Sequence, residues 1–311
     1  MKSLTKGFIP VMLTPFNSDG SIDFKGLTKL TELYIESGAS GLFANCLSSE
    51  MFDLSEDERI QVVRHVMMIN NGAVPVVATG TFGGTISQQA SYVKKIYEEG
   101  VEAVIGITSL LAKEEDGDEV FEANVYSLMN LTENIPLGFY ECPLPYKRLI
   151  PPVQLGRLIS SDRVIFYKDT CLDIELVKEK IKLTEGYNFN LYDAYMVNAV
   201  KSLEAGAAGL SCIQGNFFPE LITWLCENYN QEGIKDEVNK VQLFFTDHMS
   251  VMHDVYPTIS KYALQIRGLD ISTFTRRSDI GRMDTTVRRN ILELMKKYDE
   301  LTSELEIRTF V

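Results

Sequence analysis

Short apolar segments alternate with longer amphipathic segments along the first two thirds of the chain. Most of the short segments are continuous apolar runs, as expected of strands buried on both faces of a parallel sheet. Each run is followed by a stretch with helical periodicity, so the pattern predicts an α/β protein. The predicted strands cover residues 8–13, 41–44, 74–79, 103–107, 137–140, 164–167, 188–192 and 209–213.

The joints between these segments indicate a repeated unit. Ser55 is placed to cap a helix, and Glu58 completes a capping box three residues later. Gly38, Gly100 and Gly206 each end a helical pattern just before a predicted strand, and glycine suits the left-handed conformation that ends a helix. Eight such units predict a (β/α)8 barrel. An open doubly wound sheet is disfavoured, because no G-x-G-x-x-G turn follows the first strand.

The strand signals stop after about Phe217, and only helical patterns follow. No linker rich in proline, glycine or serine separates them from the barrel. We therefore predict a barrel over residues 1–225 that carries the active site, with a helical C-terminal extension over residues 226–311 packed on it. The helical patterns near and beyond this boundary cover residues 221–229, 235–255, 258–269 and 285–305.

Composition and charge narrow the partners. The 311 residues include 30 Lys and Arg against 43 Asp and Glu, a formal net charge of −13. Nucleic acids and anionic membranes are polyanions that bind basic patches, so neither is an expected partner. The sequence also lacks a run of about 18 apolar residues, so no membrane span is predicted. The five cysteines lack C-x-x-C spacing, which predicts reduced thiols in a cytoplasmic protein. Of the three histidines, His248 and His253 are interpreted as ordinary residues, and no metal or cofactor is expected.

Function in a (β/α)8 barrel gathers at the carboxyl ends of the strands. Lys168 ends the sixth predicted strand, where burial lowers the pKa of an amine and lets it attack a carbonyl. The alternative is a structural lysine that extends to solvent or pairs with Asp169 or Asp193. Tyr140 ends the fifth strand, either as a proton-transfer residue or as a packed aromatic with a satisfied hydroxyl. Lys168 and Tyr140 are the candidate catalytic residues, with these alternatives open.

The loop after the second predicted strand offers further polar groups. Ser48 and Ser49 could donate hydrogen bonds to a carboxylate, or either could cap the next turn. Glu50 is assigned a structural role, as an ion pair or a cap within the loop.

Several motifs occur in order along nearly the whole chain. Residues 7–16 resemble the opening G-x-x-x-A-x-x-T-P-F of the dihydrodipicolinate synthase and N-acetylneuraminate lyase family, and residues 54–59 resemble its L-S-x-E-E-R segment. Residues 140–143 resemble its Y-N-x-P, and residues 165–170 its strand I-x-G-x-K-[DE]-[ST]. Residues 257–269 resemble its P-x-x-x-K-x-A-L-x-x-x-G-L helix. The chain therefore resembles a divergent member of this family of Schiff-base class I aldolases.

The resemblance implies that Lys168 forms a Schiff base with a small 2-oxo acid and that Tyr140 moves protons at the imine. A protonated imine withdraws electrons and stabilises the carbanion or enamine beside it. The resemblance also implies a homo-oligomer, either a tetramer or a dimer. The substrate-binding residues that it implies are Leu47, Ser48, Ser49 and Ser211.

Several positions depart from the pattern of the synthases in this family, three of them at side chains with a role in those enzymes. Leu47 stands at the first relay hydroxyl, Leu111 at the relay tyrosine lent by a neighbouring subunit, and Pro145 at the arginine that follows Y-N-x-P. We therefore predict a Schiff-base lyase, aldolase or dehydratase for a small 2-oxo acid that is not a true dihydrodipicolinate synthase. The alternative is a catalytically impaired barrel retained as a small-molecule-binding protein.

Overall fold

The predicted strands form one parallel sheet in the computed structural model, which describes residues 4–278 and 281–310. Neighbours follow the order β1-β8-β7-β6-β5-β4-β3-β2. Nearly every strand residue is buried, which explains why the sequence shows continuous apolar runs. The strands are β1 (Gly7–Phe8), β2 (Leu42–Ala44), β3 (Val76–Thr79), β4 (Ala103–Ile107), β5 (Leu137–Tyr140), β6 (Val164–Asp169), β7 (Asn190–Asp193) and β8 (Gly209–Leu210).

The chain just beyond β1 closes the sheet into a barrel. Val11 bridges Phe43 of β2 in parallel, and the Phe43 N–H donates to the Pro10 carbonyl at 3.1 Å. The observed β1 is shorter than the predicted strand 8–13, because Pro10 has no N–H for the ladder. The observed β8 is shorter than predicted 209–213, because the chain turns into a 3₁₀ helix at Ile213–Asn216.

The helices of the barrel alternate with the strands, and their ends follow the predicted signals. The Ser55 N–H donates to Glu58 Oε2 at 2.8 Å, and the Glu58 N–H donates to Ser55 Oγ at 3.2 Å, which confirms the capping box. Gly38, Gly100 and Gly206 have φ of 82°, 95° and 106°, the left-handed conformation predicted for the helix-to-strand joints. The helices are α1 (Phe24–Glu36), α2 (Glu56–Asn70), α3 (Ile86–Glu98), α4 (Asp118–Leu131), α5 (Pro152–Ile159), α6 (Ile174–Leu183), α7 (Ala199–Glu204) and α8 (Pro219–Asn228).

The C-terminal segment is helical, with two departures from the predicted boundaries. Helix α8 packs against β1 and β8, so the last barrel helix crosses the predicted boundary between residues 225 and 226. The helix predicted over 235–255 is broken at His248, whose Nδ1 lies 2.7 Å from the Phe244 carbonyl oxygen and whose backbone leaves helical values. The helices beyond α8 are α9 (Lys235–Asp247), α10 (Met249–His253), α11 (Thr258–Ile266) and α12 (Thr285–Glu304).

This C-terminal extension contacts loops at the carboxyl ends of the strands. The fully buried Lys261 of α11 pairs with Glu50, in the loop after β2, at 2.7 Å. Gln242 of α9 donates to the Met196 carbonyl, in the loop after β7, at 2.5 Å. The structural role predicted for Glu50 is thus confirmed, and the extension forms a wall over the barrel mouth.

Three further properties concern possible cross-links, membrane spans and metal sites. All five cysteines carry free thiols. Within residues 4–278 and 281–310, no helix combines the length and apolar character needed to cross a membrane. The same residues contain no group of three or more His, Cys, Asp or Glu side chains placed to hold a metal ion.

Candidate active site

Lys168 and Tyr140 lie side by side at the carboxyl end of the barrel. They are paired residues in the register of β5 and β6. Tyr140 packs edge-on against Phe43 in the barrel interior, with ring centroids 5.9 Å apart. The Lys168 Nζ lies 4.3 Å from the centroid of the Tyr140 ring. Paired residues on neighbouring strands share one face of a sheet, which is why these two side chains meet.

Lys168 is a buried amine with no counter-ion in the part of the chain that the structure describes. It is 3% exposed and forms no ion pair with any carboxylate of the described residues. Burial lowers the pKa of its amine below the ordinary value of 10.5. Burial also raises the pKa of the neighbouring Cys142 thiol to about 11 and that of Cys212 to about 12, so both thiols are protonated at neutral pH. This environment favours a neutral, nucleophilic lysine.

The structure places neither carboxylate that the sequence offered as a partner beside Lys168. Asp169, the next residue of β6, points out of the barrel, and its Oδ2 lies 2.6 Å from Lys180 Nζ on α6. Glu141 Oε1 lies 2.9 Å from the same ammonium. Asp193 is paired with Asp169 in the register of β6 and β7, so it lies on the outer face too.

The Tyr140 hydroxyl is buried and protonated. Burial raises its pKa well above the ordinary value of 10, and the neighbouring Cys142 thiol raises it further. The ring is packed, as one alternative predicts, and Tyr140 also lines the cavity.

The loop after β2 presents one of its two serines to the cavity. This loop forms a 3₁₀ turn, Leu47–Ser49, and Leu47 and Ser48 line the cavity at the barrel mouth. The Ser49 hydroxyl instead donates to the Met12 carbonyl at 2.6 Å and accepts from the Cys46 N–H at 3.1 Å. Ser49 therefore holds the loop in shape.

Ser211 lies just beyond β8 and outside the lining of the cavity. Its N–H donates to the Asp193 carbonyl at 2.8 Å. Its hydroxyl is buried and has no hydrogen-bond partner among the described residues. The predicted site residues that share the cavity are Lys168, Tyr140, Leu47 and Ser48.

Tyr256, between α10 and α11, is a cavity residue that the sequence analysis missed. Its hydroxyl donates to Ser48 Oγ at 2.7 Å and accepts from Asn216 Nδ2 at 2.6 Å. The preceding Val255 has φ of 41°, a conformation that is rare for a β-branched residue. The sequence places Tyr256 directly before the motif at 257–269. That position alone does not indicate a contact with Ser48, which lies 208 positions away in the chain.

The cavity has a volume of about 790 Å³ and two walls of different origin. The barrel contributes the ends of β5 and β6, and the C-terminal extension contributes residues of α9 and α10. His253, interpreted as ordinary from the sequence, lies on the second wall, with its Nδ1 2.8 Å from the Met249 carbonyl oxygen. This volume lies within the range of small-molecule sites and accommodates substrates larger than a three-carbon acid.

The basic residues just after Pro145 do not offer a free guanidinium to the cavity. Arg148 pairs with Asp118 at 3.2 Å. It also donates to the backbone carbonyls of Lys113 and Asp116, which lie in the acidic loop before α4. Lys147 lines the cavity, and its Nζ donates to the Thr170 carbonyl. Both cations are therefore engaged within this chain.

The fold and the site together define a (β/α)8 barrel whose cavity is built around a buried lysine on β6 and a tyrosine on β5. The model of the Dihydrodipicolinate synthetase family matches residues 4–297. The chain belongs to this family, and it is a lyase of the class I aldolase type.

Individual relatives are distant but match along most of their length. A 4-hydroxy-tetrahydrodipicolinate synthase of Shewanella piezotolerans is 26% identical over 297 residues, which cover 94% of this chain and 98% of that protein. A solved dihydrodipicolinate synthase of Bacillus anthracis has a TM-score of 0.85 at 21% identity, covering 95% and 99% of the two chains. YagE, a prophage protein of the same family from E. coli K12 solved with pyruvate, has a TM-score of 0.84 at 19% identity, covering 96% and 99%. At these identities the solved structures establish a shared fold.

Proposed function

We propose that this protein is a Schiff-base-forming lyase or aldolase, or a dehydratase, that acts on a small 2-oxo acid through Lys168. The observation that carries the proposal is the state of the Lys168 amine, which is buried beside Tyr140 with no carboxylate partner among the described residues. Such an amine is neutral at lower pH than an exposed lysine and can attack a carbonyl carbon. Membership of the family supports the same chemistry.

The reaction follows from the groups at the cavity. Lys168 Nζ adds to the C2 carbonyl carbon of the 2-oxo acid, and after proton transfers the carbonyl oxygen leaves as water. When C4 of the substrate carries a hydroxyl, that hydroxyl gives up its proton while the protonated imine accepts the electron pair of the breaking C3–C4 bond, which yields an enamine and an aldehyde. Protonation at C3 and hydrolysis of the imine restore the free amine, and the condensation runs these steps in reverse. Tyr140 gives and takes the protons. In a dehydratase, the imine instead loses a proton from C3 to form the enamine, whose electron pair then expels the C4 hydroxyl, so that water is lost overall.

The test of this proposal is covalent trapping. Borohydride should reduce the imine that forms with one member of a panel of 2-oxo acids, and the protein should gain the mass of the reduced ligand. The Lys168→Ala variant should not gain it, whereas a Lys182→Ala variant, which removes an exposed lysine of α6, should. A wild-type protein that forms no adduct with any of these acids contradicts the proposal. If it binds one without an adduct, the small-molecule-binding alternative is favoured.

The substrate is not expected to be that of a dihydrodipicolinate synthase. Leu111 is buried at the position of the relay tyrosine, and Arg148, beyond Pro145, is engaged with the acidic loop. Pyruvate with aspartate semialdehyde should therefore give negligible product in a coupled assay. Robust turnover would contradict this part of the proposal.

Assembly and location follow from the family resemblance and the composition. We propose a homo-oligomer, a tetramer or a dimer, in the cytoplasm. A monomeric dihydrodipicolinate synthase variant has the same fold, with a TM-score of 0.86 at 18% identity, so the fold alone does not require assembly. Light scattering should show an oligomer at micromolar concentration, and a monomer would contradict the proposal.

A further inference from the structure

Ser48 stands at the end of a chain of buried hydrogen bonds. The Tyr34 hydroxyl of α1 donates to Asn216 Oδ1, in the turn after β8. Asn216 Nδ2 donates to the Tyr256 hydroxyl oxygen at 2.6 Å, and the Tyr256 hydroxyl donates to Ser48 Oγ at 2.7 Å. The chain thus runs from α1 through the C-terminal extension to the cavity that contains Lys168.

A backbone carbonyl sets the direction of the protons in this chain. Asn216 Nδ2 also donates to the Val11 carbonyl at 2.8 Å, and a carbonyl can only accept. The amide nitrogen therefore faces Val11 and Tyr256, and it supplies an N–H to each. The Tyr256 oxygen accepts this N–H, and its own proton is donated onward to Ser48 Oγ. Burial raises the pKa of Tyr256, so that proton is present throughout the neutral range.

The consequence for Ser48 is a hydroxyl with one proton left to give. Its oxygen accepts from Tyr256, and no described residue accepts a hydrogen bond from it. Ser48 lines the same cavity as Lys168. An anionic oxygen in that cavity is the partner that such a donor binds best, since hydrogen bonds to charged acceptors are the strong ones.

We propose that Tyr256 is a positioning residue that turns Ser48 into a dedicated donor to the carboxylate of the 2-oxo acid bound at Lys168. The inference rests on the proposed function and adds a residue from the C-terminal extension to the site. It also assigns a role to the Ser48 hydroxyl, whose neighbour Leu47 lines the same cavity with an apolar side chain. Ser48 contacts the substrate, and Tyr256 acts through Ser48.

The test compares an acid with its neutral ester. Pyruvate and methyl pyruvate share the reacting ketone but differ in the charge that Ser48 is proposed to recognise. In Tyr256→Phe, the pyruvate concentration that gives half-maximal borohydride trapping should rise about tenfold, the typical effect of losing support for a hydrogen bond to a charged group. The limiting trapping rate should stay within about threefold, and the value for methyl pyruvate should not change. Equal shifts for both ligands, or none, would overturn the inference.

Two further variants separate positioning from general damage. Tyr298→Phe removes another buried tyrosine hydroxyl of the extension, one that donates to Glu220 outside the cavity lining, and should leave the pyruvate value unchanged. Ser48→Ala should raise the pyruvate value by itself, and Tyr256→Phe should then add no further increase, because Tyr256 acts only through Ser48. Additive effects of the two substitutions would show that Tyr256 acts by another route.

Calorimetric binding of pyruvate distinguishes failure of this inference from failure of the proposed function. Pyruvate that binds the wild type without an adduct, and binds Tyr256→Phe about tenfold more weakly, contradicts the Schiff base but supports the carboxylate site. Pyruvate that binds both proteins equally overturns the inference, whatever the trapping result. No binding to the wild type overturns both.

Discussion

Two buried lysines, Lys168 of β6 and Lys180 of α6, lie on opposite sides of strand β6 and have different electrostatic surroundings. Lys168 faces the barrel interior, where it contacts the Tyr140 ring and has no carboxylate partner among the described residues. Lys180 packs against the outer face, with Glu141 and Asp169 at 2.9 and 2.6 Å. Burial lowers the pKa of Lys168, whereas the two carboxylates outweigh burial and raise the pKa of Lys180.

The difference shows that burial alone does not decide the direction in which the pKa of a lysine shifts. Desolvation disfavours the ammonium at both positions, but a close carboxylate restores it at one of them. The alternation of side chains along β6 separates the two cases, because it sends Asp169 outward and leaves Lys168 inside. The proposed nucleophile Lys168 and the ion-paired Asp169 therefore occupy adjacent positions of β6 but face opposite sides of the sheet.

Lys168→Met should produce the largest effect. The variant should lose both turnover and the trapped adduct, because Lys147, the other lysine that lines the cavity, is exposed and donates to the Thr170 carbonyl, so burial does not favour its neutral form. Its free energy of unfolding, measured with urea, should be unchanged or higher, since methionine fills similar space without a buried amine. A Lys168→Met variant that still forms the adduct would show that Lys168 is not the amine that forms the imine.

Tyr140→Phe should be next, with turnover about 10²- to 10⁴-fold lower, the usual loss for a positioned acid–base group. Adduct formation should slow but still reach completion, since Lys168 remains. Tyr192→Phe is the matched control, because Tyr192 also lies inside the barrel but donates to the Thr5 carbonyl. Turnover of the physiological substrate by Tyr140→Phe at the wild-type rate would make Tyr140 a packing residue.

Lys180→Met should cost stability and leave the chemistry in place. Removing one partner of a buried ion pair strands the others, and we expect a loss of about 3–5 kcal/mol in urea unfolding at pH 7. The loss should shrink toward pH 5, because burial raises the pKa of the stranded Glu141, which can then take up a proton. Lys182→Met, at an exposed position of the same helix, should change stability by less than about 0.5 kcal/mol. If trapping at Lys168 fails in a folded Lys180→Met protein, the two faces are not independent.

The pH dependence of borohydride trapping should give the smallest effect, but it compares the pKa of the Lys168 amine with that of an exposed lysine most directly. Only the neutral amine attacks a carbonyl, and a lowered pKa means that this form persists to lower pH. The trapping rate should fall on the acidic side with a midpoint below 10.5, the ordinary value for lysine. Reductive methylation of the exposed Lys182, followed by mass spectrometry, supplies the reference profile. Coincident profiles for Lys168 and Lys182 would remove the electrostatic basis of the comparison.

The sequence was a good guide wherever structure depends on neighbours along the chain. The capping box at Ser55, the glycine joints and all eight strands follow from local patterns and are confirmed. The errors concern the ends of elements. Pro10 shortens β1, and a side-chain contact of His248 divides one predicted helix into two, because single backbone groups decide where regular structure stops.

By itself the sequence determined the barrel, the family, and the meeting of Lys168 with Tyr140, because strand order and alternation fix which residues share a face. It did not determine that Ser48 faces the cavity while Ser49 turns away, since both serines occupy one short turn. What distinguishes them is the hydrogen bond that Ser49 donates to the Met12 carbonyl. Nor did it reveal Tyr256, which meets Ser48 across 208 positions of chain. Such contacts depend on how the C-terminal helices pack on the barrel mouth, and only the tertiary structure decides that.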